Sequence, residues 1–171
     1  MININFFLLV LLLPAAVYAD QANGPEVGQP APNIIGRTLD DKSWRLKNDR
    51  GKPKVINFFW VGCQPCRQEM PELAVLEKQY SGVKFIAVHT QEETPENIIK
   101  FVKSLPAAPS TIVQTSGGIQ EIFLFQGLPH TVVLDGNNVV LMNLVGYTAI
   151  NMQKMNALLE KITNQSAKQL R

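Results

Sequence analysis
The feature that most constrains this chain is an apolar run that ends in two closely spaced cysteines. Val55-Ile56-Asn57-Phe58-Phe59-Trp60-Val61 is continuous and apolar except at Asn57, and Gly62 leads from it into Cys63-Gln64-Pro65-Cys66. A run without alternation reads as a strand buried on both faces of a parallel or mixed sheet. The next segment has helical spacing, with Leu73, Leu76 and Tyr80 on one side of a helix from Pro65 to about Tyr80 and Pro71 where it would kink. Strand, turn, cysteine pair and helix therefore lie in immediate succession.

That order gives the pair a chemistry. A helix N-terminus offers unpaired N–H groups and partial positive charge, which lower the pKa of the first thiol, and the thiolate is the attacking species. Cys63 is then the nucleophile, and Cys66, one turn on, attacks the resulting mixed disulfide and releases the partner. These are the only two cysteines in the chain. A ring that small would constrain the unfolded chain by only roughly 2 kcal/mol, so the pair reads as chemistry more than as scaffold. Two other readings stay open: an inert buried pair, or half of a zinc site, which would need two more ligands where His89 and His130 are the only histidines.

The rest of the chain reads as one α/β domain. Residues 20 to about 35 are rich in Pro, Gly and Asn, and Thr38 to Leu46 reads as a short hairpin closing at Gly51-Lys52-Pro53. A second strand is expected from Val83 to Val88. A helix comes next, with Thr94 as N-cap, Pro95 first and Ile98, Ile99, Phe101, Val102 and Leu105 as its apolar side. Then come a strand at Thr111 to Val113, a short helix at Ile119 to Phe125, a hairpin of Thr131 to Leu134 with Val139 to Val145, and a last helix from Thr148. Trp44 and Trp60 read as core aromatics.

Residues 1–19 carry no charged side chain, an apolar run from Phe6 to Leu13 and a Val17-Tyr18-Ala19 end. They read as a cleaved signal peptide, with an uncleaved anchor as the alternative because no Lys or Arg precedes the apolar run. The expected division is signal peptide 1–19, folded domain 20–165 and flexible tail 166–171. Sixteen Lys and Arg against fourteen Asp and Glu are scattered, so no stripe suited to nucleic acid is visible.

The stretch from Asn57-Phe58-Phe59 through Cys63-Gln64-Pro65-Cys66-Arg67-Gln68-Glu69-Met70-Pro71-Glu72-Leu73, together with Gly127-Leu128-Pro129-His130-Thr131, resembles the two signature regions of the TlpA/ResA-like branch of the thioredoxin superfamily. Gly28, Ala31-Pro32 and Gly51-Lys52-Pro53 extend the likeness over nearly all of the chain after residue 19. The resemblance implies a thioredoxin fold, a central mixed sheet flanked by helices, with an N-terminal β-hairpin extension and a βα insert. It implies a cis Leu128-Pro129 bond, in a loop opposite the cysteines where Leu128, Pro129 and His130 meet an extended substrate peptide. Asn57 stands where thioredoxins proper carry a buried Asp and this branch carries Asn. Glu69 matches an acid of the branch, and its spacing puts it on the side of the helix that carries Cys66, where it would raise the thiol pKa and shuttle its proton. The other reading of Glu69 is a solvated helix glutamate.

Two positions depart from the branch. Gly62 replaces a common Trp, so the surface beside Cys63 is expected to be more open. His130 replaces a usual Thr, and it either faces the thiols and makes their potential pH-sensitive or points to solvent. The function expected is an exported thiol-disulfide oxidoreductase, periplasmic or otherwise extracytoplasmic, that reduces protein disulfides, those of apocytochrome c among them. It would act as a monomer, fed by a membrane thiol donor, with no cofactor or metal beyond its own disulfide. The uncharged Gln64-Pro65 pair and Glu69 both favour a reductant. A disulfide oxidant or isomerase, and a non-catalytic metal or haem carrier, are the alternatives.

Overall fold
The computed structural model of the chain describes residues 24–169, so the leader expected at 1–19 lies outside the described residues. Seven strands form one sheet: β1 (Ile35–Thr38), β2 (Ser43–Arg45), β3 (Lys54–Phe59), β4 (Lys84–His89), β5 (Thr111–Gln114), β6 (His130–Leu134) and β7 (Val140–Val145). Their spatial order is β2-β1-β5-β4-β3-β6-β7. The central trio β3, β4 and β5 is parallel, and β1, β6 and β7 join antiparallel. All six residues of β3 are buried, as an apolar run at the centre of a two-faced sheet requires.

Among the described residues the four α-helices are α1 (Gln64–Gln79), α2 (Pro95–Lys103), α3 (Ile119–Phe123) and α4 (Ala149–Gln169). Residues alternate between the two faces of each strand, and the faces hold different layers. One face of β3 presents Val55 and Phe59 to α1, α2 and α4, through Leu73, Leu76, Leu159, Ile98 and Phe101. The other presents Ile56 and Phe58 to α3 and the N-terminal segment, through Phe123, Phe125, Ile34 and Leu46. The sheet is thus flanked on both sides, with the hairpin β1–β2 as an extension and β4–α2–β5 carrying the insert.

Local chemistry sets the element ends. The Thr94 hydroxyl accepts the Asn97 N–H (3.3 Å) and caps α2. The Asp135 carboxylate accepts the N–H groups of Asn137 and Val139 (both 2.8 Å), which closes the β6–β7 hairpin. The Thr148 hydroxyl accepts the Asn151 N–H (3.1 Å) at the start of α4. Helix α1 continues through Pro71, which removes one N–H from the ladder without ending the helix.

Two expectations are corrected. The strand ends at Phe59, and Trp60, expected in the core, is 38% exposed. Trp60 to Cys63 forms a turn in which the Cys63 N–H donates to the Trp60 carbonyl (3.0 Å), and that hydrogen bond takes Trp60 out of the strand. At the other end α4 runs on to Gln169, so residues 166–169 are helical and not a loose tail. No Gly or Pro occurs after Ile162, and residues such as Gln, Ala and Lys support a helix beyond its last packed turn.

The docking of the hairpin depends on one close approach. A methyl carbon on Gly36 of β1 would lie 2.4 Å from the Gln114 carbonyl oxygen and 2.6 Å from Val113 Cγ1 of β5. Gly36→Ala is expected to lower stability by about 1–3 kcal/mol, as overpacking does, read as the urea midpoint with an unchanged slope.

Candidate active site
The sheet brings the two cysteines to the N-terminus of α1. Cys63 is the N-cap residue, and its Sγ accepts the Cys66 N–H (3.2 Å). The two are joined in a disulfide. Cys63 keeps 8% of its surface exposed and Cys66 none, so an incoming sulfur reaches Cys63 first. No acidic residue sits in the first turn of α1, which leaves the positive end of the helix to favour a thiolate at Cys63.

One turn beyond Cys66, Glu69 points into the protein and is 3% exposed. It is not a solvated helix glutamate. Asn57 Nδ2 donates to Glu69 Oε2 (2.6 Å) and to Thr131 Oγ1 (2.9 Å), and the Thr131 hydroxyl donates to Glu69 Oε1 (3.2 Å). Asn57 and Thr131 are paired across β3 and β6, so the register itself places both beneath Glu69. Burial pushes the carboxyl up to about 7 against the lowering effect of these two donors, and the Glu72 carboxylate adds a further upward push. Sequence reasoning alone does not single out Thr131. Its signal lies in the alternation of β6, two residues after Pro129.

The Leu128–Pro129 bond is cis, and the Gly146 N–H donates to the Pro129 carbonyl (2.9 Å), tying the loop to the end of β7. Leu128 is half-buried and packs against both the cluster that holds Cys63 and Cys66 and the cluster on the far face of the sheet.

His130 is a correction, because it neither faces the thiols nor points to solvent. It pairs with Phe58 across β3 and β6, and alternation sends its side chain to the face opposite Asn57 and Thr131. There it is fully buried and stacked on Phe125, with ring centroids 5.1 Å apart. Burial pushes its pKa down to about 4, and a hydrogen bond with Asn143 opposes that only in part. Gly62 is exposed, and the Trp60 indole lies over the space that a side chain there would take. Among the described residues, no group of three or more His, Cys, Asp or Glu is placed to hold a metal ion. No helix among them is long and apolar enough to cross a membrane.

Comparison with known proteins agrees with this geometry. The sequence matches the AhpC/TSA family over residues 27–142. It is 28% identical over 165 residues to thiol-disulfide oxidoreductase ResA of Bacillus cereus (strain ATCC 10987 / NRS 248), covering 91% of this chain and 94% of that one. It is 30% identical over 125 residues to the thioredoxin-like protein YneN of Bacillus subtilis (strain 168), covering 72% of this chain and 74% of that one. The fold is similar to the thioredoxin domain of a thiol-disulfide oxidoreductase from Bacteroides vulgatus, with a TM-score of 0.70 at 22% identity over 81% of this chain and 98% of the other.

The two buried titratable groups have opposite effects on stability. Glu69 ionises near pH 7 in the folded protein against an ordinary 4.5, so its contribution is whole below pH 4.5 and is lost as pH rises through 7. In the oxidised protein, Glu69→Gln is expected to gain about 3 kcal/mol on the unsubstituted chain between pH 4 and pH 8. His130 ionises near 4 against an ordinary 6.5, so its contribution is whole above 6.5 and is lost as pH falls through 4. His130→Leu is expected to remove an acid-side loss of about 3 kcal/mol between pH 7 and pH 3.5. Urea unfolding across this pH range measures both.

Proposed function
The chain belongs to the AhpC/TSA family, among its ResA-like thiol-disulfide oxidoreductases of thioredoxin fold, and on that premise we propose that it works as an exported reductant of protein disulfides. The observation that carries the reading is a cysteine pair at the N-terminus of α1 with the buried Glu69 carboxyl one turn beyond Cys66.

In the reduced protein the Cys63 thiolate attacks one sulfur of the substrate disulfide. The substrate S–S bond breaks, its electron pair leaves on the departing thiolate, and that thiolate takes a proton from water. Cys66 then gives its proton to the Glu69 carboxylate, and the new thiolate attacks Cys63 Sγ. The second substrate thiolate leaves with the electron pair of the mixed disulfide and takes a proton, for which Glu69 is the nearby donor. One substrate disulfide has become two thiols, and the Cys63/Cys66 dithiol has become a disulfide. Both electrons are carried by the cysteines, so the cycle calls for no bound cofactor.

A carboxyl poised near pH 7 suits this relay, since a group half-ionised at working pH both takes and returns a proton. An amide at Asn57 leaves Glu69 as the acceptor. The direction follows from charge. Gln64 and Pro65 add no charged side chain to the helix end beside Cys63, and the acid Glu69 lies one turn from Cys66, so the reduced form lacks the extra stabilisation of a strong oxidant and gives up its electrons readily. The uncharged, apolar composition of residues 1–19 supports a place outside the cytoplasm, where the electrons would come from a membrane thiol carrier and disulfides such as those of apocytochrome c would be the substrates. Leu128 and Pro129 line the bonding edge for such a peptide, and a monomer suffices for every step.

Two measurements on the full chain test this. Cys66→Ser is expected to accumulate mixed disulfides with protein partners, and the Cys63/Cys66 couple, equilibrated with glutathione, is expected towards the reducing end of the range, at about −270 mV. A potential of about −120 mV would overturn the direction and make the protein an oxidant. Retention of copper or zinc through desalting, with no mixed disulfide trapped, would overturn the redox reading itself.

A further inference from the structure
The turn before Cys63 holds its own aromatic. The Cys63 N–H donates to the Trp60 carbonyl, and within that turn the Trp60 side chain lies over Gly62. A methyl carbon placed on Gly62 would lie 2.3 Å from Cη2, 2.6 Å from Cζ3 and 2.7 Å from Cζ2 of the indole. The six-membered ring therefore fills the volume that a side chain at position 62 would take, next in the chain to the N-cap cysteine. It is seated against backbone on one side and open to water on the other, at 38% exposure.

The segment that carries this ring and the segment leading through the cis-proline loop are uncharged: no Asp, Glu, Lys or Arg occurs from Val55 to Cys66 or from Ile122 to Leu134. The charges nearest in the fold are acidic, Glu92 and Glu93, in the loop whose Thr90 N–H donates to the Phe59 carbonyl (3.1 Å). The first charge on α1, Arg67, is held by α2, with its guanidinium 5.0 Å from the centre of the Phe101 ring and donating to Ser104 Oγ (2.9 Å). Leu128 adds apolar surface, packed against the cluster that contains Cys63. A water-facing indole gains free energy when an apolar side chain covers it, whereas a carboxylate would lose hydration there and meet the charges of Glu92 and Glu93.

We propose that the Trp60 indole, seated on Gly62, is a substrate contact that selects disulfides whose cysteine is flanked by an aliphatic or aromatic residue. This deepens the reductase reading and rests on it. Gly62 has a matching role, because any side chain there would displace the indole.

The test uses the reduced full chain and three probes: two synthetic peptide disulfides alike except for Leu or Glu beside the cysteine, and glutathione disulfide. The unsubstituted protein is expected to react about tenfold faster with the Leu peptide than with the Glu peptide, the scale of one partly covered apolar side chain. Trp60→Ala is expected to lose about tenfold on the Leu peptide and less than about twofold on glutathione disulfide, erasing the preference. Gly62→Ala should reproduce that loss and Trp60→Phe should retain most of the rate. An equal loss on all three probes, or a preference that survives Trp60→Ala, would overturn the proposal. Should the Ala variant fail to fold, Cys66→Ser in a Trp44→Phe background carries Trp60 as its single tryptophan. Its emission is expected to shift to the blue when Cys63 is linked to the Leu peptide, and an unmoved spectrum would overturn the contact. An unsubstituted protein inert towards all three disulfides is a different result, which strikes the oxidoreductase reading itself.

Discussion
A carboxyl group sealed between a helix and a sheet, with only an amide and a hydroxyl for partners, is the constraint around which this site is organised. Glu69 has no cation beside it, so its charged form is paired by nothing stronger than the Asn57 N–H and the Thr131 hydroxyl. Burial wins over those two hydrogen bonds and moves the group to about 7. An arginine in place of Asn57 would hold the carboxylate ionised and an apolar residue would hold it protonated. The amide leaves it between the two states, which is the condition that the proposed proton relay requires.

That arrangement depends on register. Asn57 and Thr131 are cross-strand partners, and so are Phe58 and His130. A slip of one residue between β3 and β6 would send the hydroxyl away from Glu69 and bring an imidazole in. The chain then carries two buried titratable groups on opposite faces of one strand pair, one shifted up and one shifted down. As pH falls from 7 towards 4.5 the neutral carboxyl gains stability while the neutral imidazole loses it, with shifts of similar size, so the two slopes offset each other over that interval. The sheet separates the chemistry of these groups while linking their effects on folding.

Much of this is legible in the residues. The continuous run at Val55 to Phe59, the cysteine pair at a helix start, the Thr94 cap and the Asp135 to Asn138 turn each act locally, and each lies where its local chemistry puts it. His130 is not legible, because its orientation depends on which residue of β6 pairs with Asn57, a non-local fact. Neither is the exposure of Trp60. Hydropathy counts an aromatic near the end of an apolar run as core, and the turn closed by the hydrogen bond to Cys63 ends the strand two residues before the run does. The folded domain reads as ending at 165 because periodicity reports packing, whereas α4 runs on to Gln169, since a helix continues on propensity after its packing stops.

Trp60 and Gly62 separate position in a motif from position in space. A glycine directly before the first cysteine, where the branch commonly carries tryptophan, reads as an opening in the surface. In this turn the absent Cβ lets an indole from two residues upstream lie across the backbone. The aromatic wall over position 62 is therefore supplied by Trp60 through a close approach that only glycine permits. The two positions form one unit: a larger residue at 62 removes the wall that Trp60 makes, and a smaller residue at 60 exposes the backbone that Gly62 offers.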